Sequence, residues 1–389
     1  MNEQVASSPA QLPLEISVVA GREEFRALEA SWNRLLAESA ADTFFLRWEW
    51  MWSWWEAFGS SIGTLHIVLV KRGGRVVGIG PFYRTETKAA GLLPIRRLLF
   101  LGTAMGSAGD IGSEYLDLIV HAHHGEDVVA AMSSHLLREN PFHEWVFLHV
   151  PVSAQAVAQL VGYAEKARYI SEELQRWQCP YLALPERWEQ FLESVASTLR
   201  YKFRKNLREL EKHGTHIFRM TGTSEELDRD LRTLVDLHQA RWEGRGMSGV
   251  FADPAYHRFL EMVSRYALQH GQLRLSIVTI SDRPVAAVYN IAYGNKIYYY
   301  QSGFDIGFDR KVAIGTFAHT LCLERAIGEK LTEYDFLLKG GLDSYKDRWT
   351  QTMREIVDYR LVAPGWPQLV HRIDAAARGC VRRLRRINQ

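Results

Sequence analysis

The run FDRKVAIGTFAH, residues 308–319, raises the first chemical question. Arg310 and Lys311 precede the small residue Ala313, then Ile314, Gly315 and Thr316, and an apolar helical pattern through Phe317, Leu321 and Leu323 follows. Unpaired N–H groups at a helix start, together with the positive end of the helix dipole, attract an anion, and small residues let it approach the backbone. Taken alone, the same stretch reads better as an ordinary strand-to-helix turn with a solvated basic pair, and it is the surrounding repeat that favours a phosphate loop. A second basic feature is LRYKFRKNLRELEKHG, within a helix expected over 187–213, where Arg200, Arg204 and Arg208 recur every four residues and line one face. That row can hold a phosphorylated, nucleotide-linked or anionic glycan acceptor, or it can be a solvated face paired with Glu209 and Glu211. No aromatic residues interleave with it as base stacking requires, so DNA and other nucleic acids fit poorly.

Other reactive side chains are less eloquent. His121, His123 and His124 in VHAHHGED have no ligand frame beyond Glu126 and Asp127 and read as surface histidines, so no metal is expected. The three cysteines, Cys179, Cys322 and Cys380, are widely separated and suit a reducing compartment. TFFLRWEWMWSWWEAFG holds five of the twelve tryptophans: Trp48, Met51, Trp52, Trp55 and Phe58 form one helical stripe, while only Glu49, Ser53 and Glu56 make a polar strip. A helix so apolar is expected in a core or under a neighbouring lobe.

The elements that must position these residues repeat. Residues 65–80, LHIVLVKRGGRVVGIG, align without gaps on 273–288, LRLSIVTISDRPVAAV, and each reads as a β-hairpin turning at Gly73-Gly74 or Ser281-Asp282. Each hairpin follows two helical patterns and a leading strand (LEISVV, THIFRMT), and each precedes a strand, a helix and a strand: RRLLFLG, GEDVVAAMSSHLL and WVFLHV against KIYYYQSG, GTFAHTLCLERAIG and YDFLLKG. The first copy adds YLDLIV. The expected fold is α/β (α+β), two tandem lobes, each a mixed central sheet flanked by helices. Expected boundaries are 1–150 for the first lobe, 151–212 for a helical connection, 213–365 for the second lobe and 366–389 for a basic tail.

The 389 residues are 47% hydrophobic and 24% charged with a formal net charge of +2, ordinary globular values without a global field for nucleic acid. Neither a secretory leader nor a membrane span is legible, so a cytoplasmic setting is expected. The tail WPQLVHRIDAAARGCVRRLRRINQ aligns Leu369, Ile373, Ala376, Cys380, Leu384 and Ile387 among arginines. Such a helix can lie on an anionic inner-membrane surface, dock on a synthase, or cap its own domain.

This doubled unit resembles the GNAT acyltransferase fold, and the pair resembles the Fem-type aminoacyl transferases and the CelD-like proteins of bacterial polysaccharide synthesis. The motifs that carry the CelD-like resemblance are LRYKFRKNLRELEKHG, IYYYQSGFD, AIGTFAHTLCLERAIGEKLTEYDFLLKG and YKDRW. In GNAT proteins a loop of the form Gln/Arg-x-x-Gly-x-Gly/Ala holds the pyrophosphate of coenzyme A. The matching positions here are Arg310, Ala313 and Gly315, with Ala313 departing from the first glycine. The corresponding helix of the first lobe begins Gly125-Glu126-Asp127, two carboxylates where phosphate would lie, so only the second lobe is expected to bind acetyl-CoA or another acyl-CoA.

The resemblance further implies a tyrosine after the fifth strand that protonates the departing thiolate, which selects Tyr345, with Lys346 stabilising oxyanion or phosphate and Asp335 or Asp343 taking a proton from the acceptor. It implies also an amide at a bulge in IYYYQSGFD that polarises the thioester, placed at Gln301, Ser302 and Gly303. Tyr345 and Trp349 can equally anchor a loop. The implied activity is N- or O-acyl transfer to a sugar-bearing or anionic acceptor, such as a glycan or sugar nucleotide. The alternatives are an aminoacyl-tRNA-dependent transferase of the Fem type and a non-catalytic scaffold of a polysaccharide synthase.

Overall fold

The computed structural model describes residues 12–89, 93–105, 111–139, 142–309, 311–339 and 345–373. They fall into two compact units, one running to Arg176 and resuming at Ile356, the other Trp177–Glu355.

The first unit opens with β1 (Leu14–Val19), α1 (Arg22–Arg26), α2 (Glu29–Ala37), α3 (Trp48–Trp54) and α4 (Ser60–Ile62). Strands β2 (Thr64–Leu65), β3 (Ile67–Arg72), β4 (Arg75–Gly80), β5 (Phe82–Ala89), β6 (Leu93–Phe100) and β7 (Ile119–Val120) follow. Then come α5 (Gly125–Arg138), β8 (Glu144–Pro151) and α6 (Gln155–Lys166), after which β9 (Ile170–Ala183) crosses into the second unit. That unit contains α7 (Trp188–Ser194), α8 (Ser197–Glu211), β10 (His216–Met220), α9 (Ser224–Glu243), α10 (Pro254–Gln269), β11 (Leu273–Ile280), β12 (Arg283–Tyr293), β13 (Lys296–Phe304), α11 (Ile314–Gly328) and β14 (Glu333–Asp335). Finally β15 (Met353–Val362) returns to pair antiparallel with β8.

Both repeat hairpins form, and they share more than their sequence alignment requires. Their turns take two successive residues at positive φ, Gly73 and Gly74 at 56° and 77°, Ser281 and Asp282 at 45° and 65°, the geometry whose twist matches the flanking strands. Each carries an irregularity at the same aligned place: the register shifts between Val70 and Lys71 in one and between Val278 and Thr279 in the other. The later strands repeat too, since β6 pairs parallel with β8 and β13 pairs parallel with β14.

The strand orders are β1-β3-β4-β7 and β2-β5-β6-β8-β15 in the first unit, and β10-β11-β12-β13-β14-β9 in the second. These mixed sheets flanked by helices are the architecture expected from the repeat. In the first unit all seven residues of α3 are buried, Trp48 stacks on Trp52 with centroids 5.2 Å apart, and Trp50 donates to Ser113 Oγ at 2.9 Å. The tryptophan-rich helix is therefore core. Even Glu49, assigned to a polar strip, is buried, where Arg47 and Asn33 hydrogen-bond its carboxylate and hold its pKa below the usual range against the cost of burial.

The expected boundaries need correction. Residues 151–212 are not a separate helical connection: α6 buries Val157, Leu160 and Ala164 in the first unit, residues 170–183 form a strand, and α8 buries Leu199 and Leu210 in the core of the second. The helix expected over 187–213 is broken in two at Val195 and Ala196, which are extended. Arg200 stabilises the break, because its guanidinium takes up the carbonyls of Leu192 and Glu193 that the end of α7 leaves open. Nor does the second lobe run to 365, since residues from Ile356 belong to the first unit.

Candidate active site

Strand β13 runs to Phe304, yet it pairs with β14 only over Lys296–Glu333, Ile297–Tyr334 and Tyr298–Asp335. Beyond Tyr298 the two chain segments part. A register shift in β13 at the same level, where Tyr289 faces Gln301 and Asn290 faces Tyr299, leaves Tyr300 as an extra residue. Bulges bend and twist a strand, and here the bend lies beside the parting. A cleft of about 460 Å³ opens nearby, bounded by Arg241 and Arg245 from the end of α9 and the loop after it, Phe304, the first turn of α11, His319 and Tyr345.

The turn into α11 is built from three places in the chain. Asp309 accepts from the Lys311 amide at 2.8 Å and from His213 Nε2 at 2.9 Å, contacts that hold its pKa below the ordinary carboxylate value. Ala313 stands at the N-cap without a side chain able to cap. Asn206, buried in α8, does it instead: Oδ1 accepts from the Ala313 N–H at 3.2 Å and Nδ2 donates to the Ala313 carbonyl at 3.5 Å. Phe317 N–H bonds the Ala313 carbonyl, and among the described residues no acceptor meets the amides of Gly315 and Thr316, both of which line the cleft. A side chain at 315 would press on the Phe304 ring, whose nearest atom lies 3.2 Å from where a Cβ would stand. Gly315 thus serves close packing as well as access to its N–H.

Aromatic and hydroxyl side chains pack together beside this turn. Tyr299 O–H and Ser302 Oγ are 2.6 Å apart, and the Tyr345 hydroxyl, shut off from solvent, lies against Tyr299 without a well-formed hydrogen bond among the described residues. Burial first, then the neighbouring Tyr299, pushes the Tyr345 phenol well above its usual pKa. His319, only 1% exposed, sits with its ring centroid 4.5 Å from that of Tyr299 and 5.7 Å from that of Tyr345. Burial, then the charges of Lys346 and Arg241, lower its pKa to about 3.

The sequence-derived site residues divide on this geometry. Tyr345, Ile314, Gly315 and Thr316 line the cleft, whereas Ser302 is buried behind it, against the Tyr299 hydroxyl. The Ser302 amide, expected to polarise a carbonyl, donates instead to Gln301 Oε1 at 2.9 Å. Ala313 spends both backbone groups on Asn206, and Lys311 is exposed beside the turn. Arg310 and Asp343 lie outside the described residues.

Lys346 and Asp335 are not among the residues that line the cleft. The Lys346 ammonium donates to the carbonyls of Phe336 and Leu338 at 2.5 and 2.6 Å, pinning the segment after β14, and Asp335 is buried between Arg354 and the Leu337 amide. Of the arginine row, Arg200 is consumed at the α7 break, while Arg204 and Arg208 are exposed and do not line the cleft. Sequence reading passed over Asn206, Arg241, Arg245, Tyr299 and His319. Only Asn206 left a signal, as the one side-chain amide on α8.

The segment that builds all of this has a match. Residues 197–347 fit the family model for an acetyltransferase (GNAT) domain. Across the whole chain the fold is that of the solved FemX structure, with TM-score 0.62 and 11% identity over 92% of this chain and 99% of that one. A second likeness is to the C-terminal domain of an Agrobacterium fabrum protein assigned as a lysylphosphatidylglycerol synthetase, with TM-score 0.51 and 10% identity over 92% and 97% of the two chains. No curated protein matches in sequence.

The GNAT-matching segment lies in the second unit, and the equivalent helix of the first unit shows the contrast. There α5 begins with Glu126 and Asp127, and Asp127 pairs with Arg72 at 3.2 Å. Among the described residues no group of three or more His, Cys, Asp or Glu is placed to hold a metal ion, and no helix is long and apolar enough to cross a membrane.

Proposed function

We propose that the second unit binds an acyl-coenzyme A and transfers its acyl group to an amine or hydroxyl of a sugar-bearing or anionic acceptor, in exopolysaccharide or cell-envelope synthesis of the CelD-like kind. The observation that supports this most is a single cleft lined by open helix-start amides, two arginines and a buried phenol. Phosphate oxygens of the donor accept from Gly315 and Thr316 N–H, beside Arg241 and Arg245. The thioester then lies toward Tyr345. The acceptor's N or O attacks the thioester carbon, the C–S bond breaks, and the nucleophile's proton balances the departing thiolate, giving an amide or ester and free coenzyme A.

Two roles in this scheme follow from the contacts. A phenol whose pKa stands well above 10 holds its proton, so Tyr345 stabilises the thiolate by donating a hydrogen bond more than by giving the proton away. The Ser302 amide serves the tetrahedral oxygen once Gln301 turns its side-chain carbonyl aside. Exposed Arg204 and Arg208 remain available to an anionic acceptor. At the chain end Trp366, Leu369 and Ile373 are exposed, and the arginine-rich sequence after them suits an anionic membrane surface, which co-sedimentation with phosphatidylglycerol vesicles tests.

Release of free thiol from acetyl-CoA and longer acyl-CoAs, measured with amino sugars and sugar nucleotides as acceptors, tests the transfer itself. Acceptor-dependent release supports it, and its absence across donors, with a folded protein that binds none of them, contradicts it. Likeness to FemX over nearly the whole chain favours one other reading, an aminoacyl-tRNA donor as in the Fem-type enzymes. Transfer of label from charged tRNA in place of acyl-CoA would select it.

A further inference from the structure

His319 stands four residues beyond Gly315 in α11, lines the cleft and is almost wholly buried. Its tautomer follows from the orientation of the Asn290 amide. The Tyr334 hydroxyl donates its one proton to Asn290 Oδ1 at 3.0 Å, so its oxygen is left to accept from His319 Nδ1 at 3.3 Å. The ring proton is therefore on Nδ1, and Nε2 carries a lone pair. Nε2 is buried and has no hydrogen-bond partner among the described residues. An aromatic box holds the ring: Tyr299, Phe304, Phe336, Tyr345 and Trp349 all lie with centroids within 6.2 Å of it. A buried acceptor left unmet is rare and asks for a donor from the ligand.

The place of Nε2 restricts what that donor can be. Three or four residues along a helix is about 4.5–6 Å of rise, so the group it meets follows closely on the phosphate held at Gly315 and Thr316. A thioester carbonyl and a phosphate oxygen are both acceptors and cannot satisfy it. In a phosphopantetheine arm a hydroxyl and an amide N–H come next after the phosphate, and both donate. Resting on the acyl-coenzyme A reading, we infer that His319 Nε2 accepts a hydrogen bond from the hydroxyl or amide N–H of the donor's pantetheine arm and so selects a pantetheine-bearing donor over a bare nucleotide. His319 is then a specificity residue and not a base. Its environment, with Lys346 and Arg241 the charges bearing on it, resists protonation of the ring.

Calorimetric titration of the full chain with coenzyme A and with adenosine 3′,5′-bisphosphate, which lacks the arm, tests this. His319→Phe keeps the ring packing and removes the acceptor, and it is expected to weaken coenzyme A about five- to a hundredfold while leaving the bisphosphate unchanged. His319→Gln, whose amide oxygen can accept, is expected to recover most of the loss. Equal weakening of both ligands, or no weakening of coenzyme A, overturns the role of His319 while the donor reading stands. A folded wild-type protein that binds neither ligand overturns the donor reading and this inference with it. Should the phenylalanine variant not fold, 15N-labelled histidine in the wild-type protein gives the same answer: the His319 Nε2 resonance is expected to move on adding coenzyme A and not on adding the bisphosphate, and a resonance unmoved by saturating coenzyme A overturns the inference.

Discussion

Tyr345 and Lys346 are adjacent in sequence and part company in the structure. The phenol lies in the cleft with its proton held tightly by burial, whereas the ammonium is spent on the carbonyls of Phe336 and Leu338. Substituting each should therefore fail differently. Tyr345→Phe is expected to bind coenzyme A like the wild type and turn over at least about tenfold more slowly, measured by calorimetry and thiol release. Lys346→Met is expected to lower the midpoint of thermal unfolding, because the carbonyls of Phe336 and Leu338 lose their donor. Such differences are illegible in sequence: YKDRW shows two polar residues side by side, and only packing decides which faces the cleft. The same holds for Asn206 and Ala313, which meet across 107 positions. Residue types that act through their own backbone, such as Gly315, could be read from their neighbours. Residues that act through a distant partner could not.

Among the elements, the hairpins and the strand–helix–strand that follows them were readable because each needs only local chemistry: alternating apolar residues, two turn positions tolerant of positive φ, and a periodic helix. Strand β9 was not, since ISEELQRWQCPYLA carries charges at positions that suit a helix surface as well as a half-exposed strand. Breaking the helix expected over 187–213 required Arg200 to reach back to Leu192 and Glu193, a tertiary feature within one basic pattern. Short β14 is paired on both sides at its three positions, and side chains hold it as well. Arg354 bonds Glu333 and Asp335, and Asp335 is almost fully buried. Arg354→Ala leaves that carboxylate without its cation. With the arginine partly exposed, the expected cost is about 2–3 kcal/mol in urea unfolding, below the loss from a fully buried pair. An unchanged midpoint would show that β14 is held by its backbone alone.

At the scale of the whole molecule, pH separates two kinds of buried group. His66 and His238 are lowered to about 4 and His319 to about 3, in each case mainly by burial. Their unfolded forms titrate near 6.5, so below that pH the unfolded chain takes up more protons and stability falls as pH drops toward 4 and then 3. Asp117 has the opposite sign. Burial raises it to about 7, so its charged form weakens the folded state progressively as pH rises from about 4 to 7. Asp117→Asn is expected to raise the thermal midpoint more at pH 8 than at pH 5, and an equal gain at both would mean that the carboxyl is not titrating in this window.

The central claim is that the first turn of α11 receives a phosphate, and the duplicated fold supplies its own control. Counted from the helix start, the first unit has Glu126 and Asp127 where the second has Gly315 and Thr316. A carboxylate in the first turn favours the helix dipole, so Thr316→Glu should leave the fold as stable as before or slightly more so while repelling an anionic ligand. Titrating both proteins with coenzyme A is the most direct measurement. Saturable binding by the wild type that falls at least about a hundredfold in Thr316→Glu, with an undiminished thermal midpoint, is the expected result. Equal binding by the two proteins, or none by a folded wild type, would contradict it and leave RKVAIG an ordinary turn.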